Sequence, residues 1–199
     1  MDFIYPFFIA FILIFISELG DKTQLLVLSF SSRLKIRSIL IGIGLGSLFS
    51  HGIAILFGSY LGNIQNIRFQ YCLKLITYLS FIVFGIITLL KRKSDEENIN
   101  KKSKIIKGTF MYILFIAFTI IVGELGDKTF LASIGLGIEY PIYKFSLVFG
   151  AVSGMVTSDF IAILFGKLLN NKITTNTMQK ISGILFLIFG LLGIFNFIF

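Results

Sequence analysis

The segment SELGDKT at residues 17–23 returns as GELGDKT at residues 123–129, 106 positions downstream. Two weaker matches follow in the same order. SHGIAILFG (50–58) returns as SDFIAILFG (158–166) at an offset of 108, and FGIITLL (84–90) returns loosely as FGLLGIF (189–195) at an offset of 105. Ordered matches at a nearly constant offset mark an internal duplication. Each charged copy lies inside a long apolar stretch, so the fold must accommodate two opposed charges and a carboxylate excess where hydrocarbon is expected.

Working outward, 56% of the 199 residues are hydrophobic and 14% are charged, with a mean hydropathy of +0.93. A soluble globule carries about 25% charged residues, too many for this chain to match. Disordered, collagen-like and disulfide-scaffold chains are excluded by the abundance of Phe and aliphatics, by 2 Pro and by 1 Cys. Cys72 has no partner for a disulfide and is expected to be a small buried apolar residue. A bilayer core of about 30 Å takes about 20 apolar residues per helix. Six runs meet that length, at 3–30, 38–61, 71–90, 108–134, 141–167 and 179–198. The first lacks a basic leader and a small-residue cleavage site, so it reads as a retained span rather than a signal peptide.

The expected fold is an all-α integral membrane protein of six transmembrane helices. Residues 1–90 form the first three-helix repeat, 91–107 a charged cytoplasmic linker (KRKSDEENINKKSKIIK), and 108–199 the second repeat. An odd number of spans per unit makes the second copy enter the membrane from the opposite side, so the repeats are inverted. Basic residues alternate between loops. Arg33, Lys35 and Arg37, then Lys91, Arg92, Lys93, Lys101, Lys102, Lys104 and Lys107, then Lys167, Lys172 and Lys180 share one side, against Arg68, Lys74 and Lys144 on the other. The positive-inside rule puts the first group in the cytoplasm and both termini outside. The net charge of +8 is thus an orientation signal, and nucleic-acid binding is not expected.

Ionisable groups at mid-membrane are costly, about 2.5–3.5 kcal/mol each on insertion scales, and mark functional sites. On a continuous helix Glu18, Asp21 and Lys22 share one face, as do Glu124, Asp127 and Lys128. Gln24 extends the first row, while its counterpart is Phe130. Gly20 and Gly126 permit close packing or a local break that frees carbonyl oxygens. Thr23 and Thr129 add hydroxyls. With Asp159, five acids face two lysines, and this excess of negative charge attracts a cation or a proton. Carboxylates, an amide and hydroxyls are hard oxygen donors suited to Ca²⁺, Mn²⁺ or Mg²⁺. The lone histidine, His51, aligns with Asp159 across the repeats and is a candidate for proton handling or site lining. Ser50 and Ser158 before them read as packing or hydrogen-bonding residues, and the glycines of GIGLGS (42–47) as helix-packing positions rather than a phosphate loop. Structural ion pairs, a channel, and an exporter of amino acids or small organic cations are the competing readings. No CxxC pair, HExxH or nucleophile–histidine arrangement suggests an enzyme.

The paired ELGDKT segments resemble the small cation-exchanger family defined by two E-x-G-D-[KR]-[ST] motifs, which is grouped with the LysE-like superfamily. That family contains bacterial manganese exporters and Golgi and chloroplast manganese/calcium transporters. The resemblance covers essentially the whole chain. It implies export of Mn²⁺, Ca²⁺ or both from the cytosol in exchange for protons. The inverted repeats add the expectation of alternating access around a shared midplane site, with no cofactor. Glu18, Asp21, Gln24, Glu124 and Asp127 would be the metal ligands. Lys22, Thr23, His51, Lys128, Thr129 and Asp159 would line the site or couple protons. The partners implied are a divalent ion, protons and the lipid bilayer. A homo-oligomer is compatible with the sequence, and a multi-pass location in a bacterial plasma (inner) membrane fits best.

Overall fold

The computed structural model describes residues 3–19, 21, 24, 27, 34–64, 66–90, 109–168 and 175–198. The 91–107 linker, Lys22 and Thr23 lie outside the described residues. Among the described residues the chain is all-helical. Seven helices follow in order: α1 (Ile4–Glu18), α2 (Ile36–Gly62), α3 (Ile67–Leu90), α4 (Thr109–Glu124), α5 (Lys128–Glu139), α6 (Lys144–Leu168) and α7 (Thr175–Ile198), with a 3-10 turn at Pro141–Tyr143.

Among the described residues, three helical segments are long and apolar enough to cross a membrane by themselves: Ile36–Gly62, Ile67–Leu90 and Pro141–Leu164. A fourth crossing is made if α4 and α5 count as one span, bent by 75° at residues 125–127. This corrects the continuous run expected at 108–134. The run expected at 3–30 is corrected in the same way, because α1 stops at Glu18. Fifteen residues of α-helix rise about 22 Å, so α1 alone is shorter than a bilayer core of about 30 Å. The fault lies in treating apolarity as continuity: both runs stay apolar through a segment whose backbone leaves the helix.

Small residues decide how the helices approach. Gly42 and Gly46 of α2 lie against Ile116, Ala117 and Ile120 of α4, where an added Cβ would come within 2.8 Å of the Ile116 side chain and of the Ala117 carbonyl. Their counterparts at an offset of 108, Gly150 and Gly154 of α6, lie against the backbone of α1 at Phe7 and Phe11. α2 thus packs on α4, and α6 on α1. α3 and α7 meet through Gly85 and Gly183. Lipid tails are as apolar as Leu, so contact between helices is gained by close backbone approach rather than by hiding apolar surface. The lipid-facing character of the outside is clear from the exposure of Phe49, Phe57, Ile76, Val83, Phe118, Phe149 and Leu191. Cys72 belongs to that outer face; it is exposed, not buried as its type suggested. Being apolar enough for lipid, a thiol gains nothing from burial here.

At the end of α5, Glu139 accepts from Tyr78 Oη at 2.6 Å and pairs with Lys74 Nζ at 3.3 Å, tying α5 to α3. Both charged side chains are partly exposed.

Candidate cation site

α1 and α4 end on the glutamates of the two repeated motifs. Beyond each glutamate the backbone makes the same tight turn. Asp21 N donates to Glu18 O at 3.1 Å, and Asp127 N donates to Glu124 O at 3.0 Å. In the second copy the turn passes through Gly126 at φ +80°, a conformation that glycine adopts without a Cβ penalty. Asp127 then caps α5 in extended geometry. It is a residue type favoured at a helix start and beside the positive end of the helix dipole. Its side chain makes no capping bond, which leaves the carboxylate to face Asp21 instead.

The break corrects the expectation that Glu124, Asp127 and Lys128 share one helix face; in the first motif α1 likewise stops at Glu18, while Lys22 lies outside the described residues. Glu124 closes one helix, while Asp127 precedes and Lys128 opens the next. What the turns achieve is convergence of the two copies. Lys128 Nζ of the second motif sits 3.3 Å from Asp21 Oδ2 of the first. Glu18 lies within electrostatic reach of Glu124, Asp21, Lys128 and Asp127, and Asp159 of Glu18 and Asp21. Gln24 Nε2 donates to the carbonyl and hydroxyl oxygens of Ser158 at 3.3 Å each, joining the first motif to α6. Broken-helix ends of this kind present dipoles and unpaired carbonyls to ions.

Glu18, Glu124 and Asp159 are fully buried. Thr129 Oγ1 donates to Glu124 Oε2 at 2.6 Å. Glu124 Oε1 and both carboxylate oxygens of Asp159 have no hydrogen-bond partner among the described residues. A buried polar atom left unsatisfied costs about 1–3 kcal/mol, and more when charged. Among the described residues, five acids (Glu18, Asp21, Glu124, Asp127, Asp159) meet one lysine, Lys128. No three His, Cys, Asp or Glu side chains among the described residues are close enough to cage an ion as they stand. The acids share a neighbourhood but not yet a coordination shell.

His51 is also fully buried, with Nδ1 2.8 Å from Ser133 Oγ of α5. It therefore reaches α5 one turn beyond Thr129. Ser50 bonds weakly to the Ser47 carbonyl at 3.4 Å. Sequence reasoning passed over Ser133 and Glu139. Ser133 was legible as the residue one helical turn after Thr129, and Glu139 lay beyond the expected end of run four.

The Asp21–Lys128 pair is well shielded, with side chains 16% and 14% exposed. A double-mutant cycle of Asp21→Asn and Lys128→Met, read by thermal unfolding in detergent, should give a coupling of about 0.5–3 kcal/mol. Additive effects would mean that the two motifs are not in contact.

The sequence profile of the divalent cation/proton antiporter GDT1 family matches residues 6–96 and 112–197, nearly the whole chain and both motif copies. The chain belongs to the GDT1 family. Curated relatives agree with this placement. A Vibrio cholerae protein named "Putative manganese exporter" is 31% identical over 178 residues, which are 88% of this chain and 84% of that protein. A GDT1-like protein of Synechocystis is 27% identical over 92% of this chain and 93% of its own length. Protein PAM71, chloroplastic, of Arabidopsis thaliana is 28% identical over 90% of this chain, which spans only 54% of that protein. No solved structure matches the chain. Membership in GDT1 makes this a membrane transporter of divalent cations and not an enzyme.

Proposed function

We propose that this transporter exports Mn²⁺, Ca²⁺ or both from the cytosol in exchange for protons. The observation that carries the reading is the meeting of the two motif copies: Lys128 of one reaches Asp21 of the other, among buried glutamates from both. Glu18, Asp21, Glu124 and Asp127 bind the ion, with the Gln24 carbonyl oxygen and Thr129 completing its shell and Asp159 lining the pocket. Hard oxygen ligands suit both ions. The manganese in the name of the Vibrio cholerae relative favours Mn²⁺ as the first ion to test.

The carboxylates are spread wider than a coordination shell, so binding draws them inward, and the turns at 19–21 and 125–127 are where the backbone can give. When the ion leaves, protons take its place on the same oxygens, since so many carboxylates cannot remain ionised together in low dielectric. Lys128 offsets part of the negative charge while the ion is absent. This exclusive competition between ion and proton is the exchange.

The exchanged packing of α2 on α4 and α6 on α1 supports reading the chain as six spans in two inverted three-helix repeats, with α1 and α4–α5 as broken spans. Alternating access then follows from rocking one half against the other around the shared site. The loop charges support a cytoplasmic 91–107 linker with both termini outside, in a bacterial inner membrane.

Purified protein in liposomes loaded with a Mn²⁺-sensitive dye tests this. An imposed pH gradient should drive Mn²⁺ movement opposite to proton flow, and a protonophore should abolish the drive. Mn²⁺ flux indifferent to the gradient would overturn the exchange.

A further inference from the structure

Ser158 makes a contact that its place in α6 does not require. α6 and α1 run parallel in one register: Ser146 Oγ donates to the Phe3 carbonyl, Gly150 abuts the Phe7 carbonyl and Gly154 that of Phe11, each pair 143 residues apart. One step on, the register brings Ser158 level with Phe15, in the last turn of α1. The same row stands on α2 at the repeat offset of 108, as Ser38, Gly42, Gly46 and Ser50. Gly42 and Gly46 abut the carbonyls of Ile113 and Ala117, so this row lies along α4 as the first lies along α1. Each row ends in a fully buried serine near the end of a helix that closes on a motif glutamate.

The two serines then behave differently. Ser50 Oγ turns back on its own helix, to the Ser47 carbonyl at 3.4 Å, as a serine does when small size is all that its position asks for. Ser158 instead receives Gln24 Nε2 on both its carbonyl and its hydroxyl oxygen, at 3.3 Å each. Gln24 is 4% exposed and lies six residues past the end of α1. At its counterpart stands Phe130, whose ring has no amide to offer Ser50. The next residue of α6, Asp159, is fully buried, with both carboxylate oxygens unpartnered among the described residues and within electrostatic reach of Glu18 and Asp21. The amide is therefore moored beside the acids of the candidate site.

We propose that Ser158 is a positioning residue, which turns the Gln24 amide nitrogen into α6 and so makes the carbonyl oxygen the end that the amide offers to the cation. This rests on the reading above, in which that oxygen is a ligand. An amide has one acceptor end and one donor end of nearly equal size, and nothing in its shape decides between them. The Ser158 carbonyl decides, because it can only accept. Reversal would set two carbonyl oxygens against each other and aim N–H donors at a cation. The hydroxyl adds a second bond and narrows the rotamers of a long side chain, so less entropy is lost when the ion arrives. The device is one-sided. A moored neutral amide serves the first motif, whereas in the second Thr129 donates to Glu124.

Equilibrium binding of Mn²⁺ to the protein in detergent, by titration calorimetry, and Mn²⁺ exchange in liposomes are read on the same variants. Ser158→Ala removes one of the two moorings and adds no bulk. It should raise the Mn²⁺ Kd about 3–10-fold and raise KM alike, with the exchange rate at saturating Mn²⁺ near the parent's. Gln24→Met should weaken binding at least as much, and Ser158→Ala should add nothing in that background. Ser50→Ala, the same place in the other row, should bind like the parent. With Gln24→Met weakened, three results each overturn the positioning role and keep Gln24 as a ligand. Ser158→Ala binds like the parent, or weakens binding equally with and without Gln24, or loses no more than Ser50→Ala does. Parent-like binding by Gln24→Met removes Gln24 from the shell and Ser158 with it, leaving the carboxylates as the site. A parent protein that binds no Mn²⁺ overturns the cation-site reading itself.

Discussion

Glu124→Gln should lower Mn²⁺ exchange by more than the ~10–100-fold typical of a group one bond removed from a metal, while leaving the protein folded and at least as heat-resistant as the parent. The side chain is fully buried, its Oε2 accepts from Thr129, and its Oε1 has no partner among the described residues. A neutral amide of the same shape sheds the desolvation cost of a carboxylate, so stability holds or rises. In the proposed site the lost charge is one of the four carboxylates that attract the doubly charged ion. Glu18→Gln should behave alike, since Glu18 is the matching last residue of α1 and equally buried. Liposome flux and melting in detergent, measured on the same preparations, separate the two effects. A variant that transports at the parent rate would remove Glu124 from the site. One that neither transports nor folds would make its role structural.

Gly58→Ala should be the most damaging small substitution outside the site. An added Cβ would overlap the carbonyl of Ile134, which is backbone and cannot swing aside. α2 would have to lift from α5, loosening the contacts that hold α5 against it. The cost should reach or pass the ~1–3 kcal/mol usual for overpacking, seen as a lower melting temperature and loss of monodispersity. Gly52→Ala is the matched control. It lies six residues earlier on the same helix with nothing within 4 Å of its would-be Cβ, so it should melt at or slightly above the parent through better helix propensity. Equal behaviour of the two variants would deny that the α2–α5 contact depends on backbone proximity.

Much of this was legible in the sequence, for identifiable reasons. Duplication of ELGDKT announced a shared charged centre, and the family comparisons place the chain where those motifs pointed. Gly42 and Gly46 sit at a spacing that puts them on one helix face, and they do pack closely. The backbone at the motifs was legible only in part: Gly126 was read as permitting close packing or a local break, and the structure has the break. Hydropathy is blind to ψ at Leu19 and φ at Gly126, so two continuous helices were expected where α1 stops and α4 turns into α5. That turn, rather than helical spacing, sets where Asp127 and Lys128 point. Cys72 shows a related limit: in a membrane, small and apolar does not mean inside.

The crossed clasp of α2 on α4 and α6 on α1 bears on how the molecule holds together. α2 grips α4 and α6 grips α1, so the chain before residue 91 and the chain after residue 108 are held to each other by helix packing and not by their peptide connection alone. Two separately synthesised pieces would embrace as the single polypeptide does, and an ancestor made of paired half-size chains would already have possessed the grip.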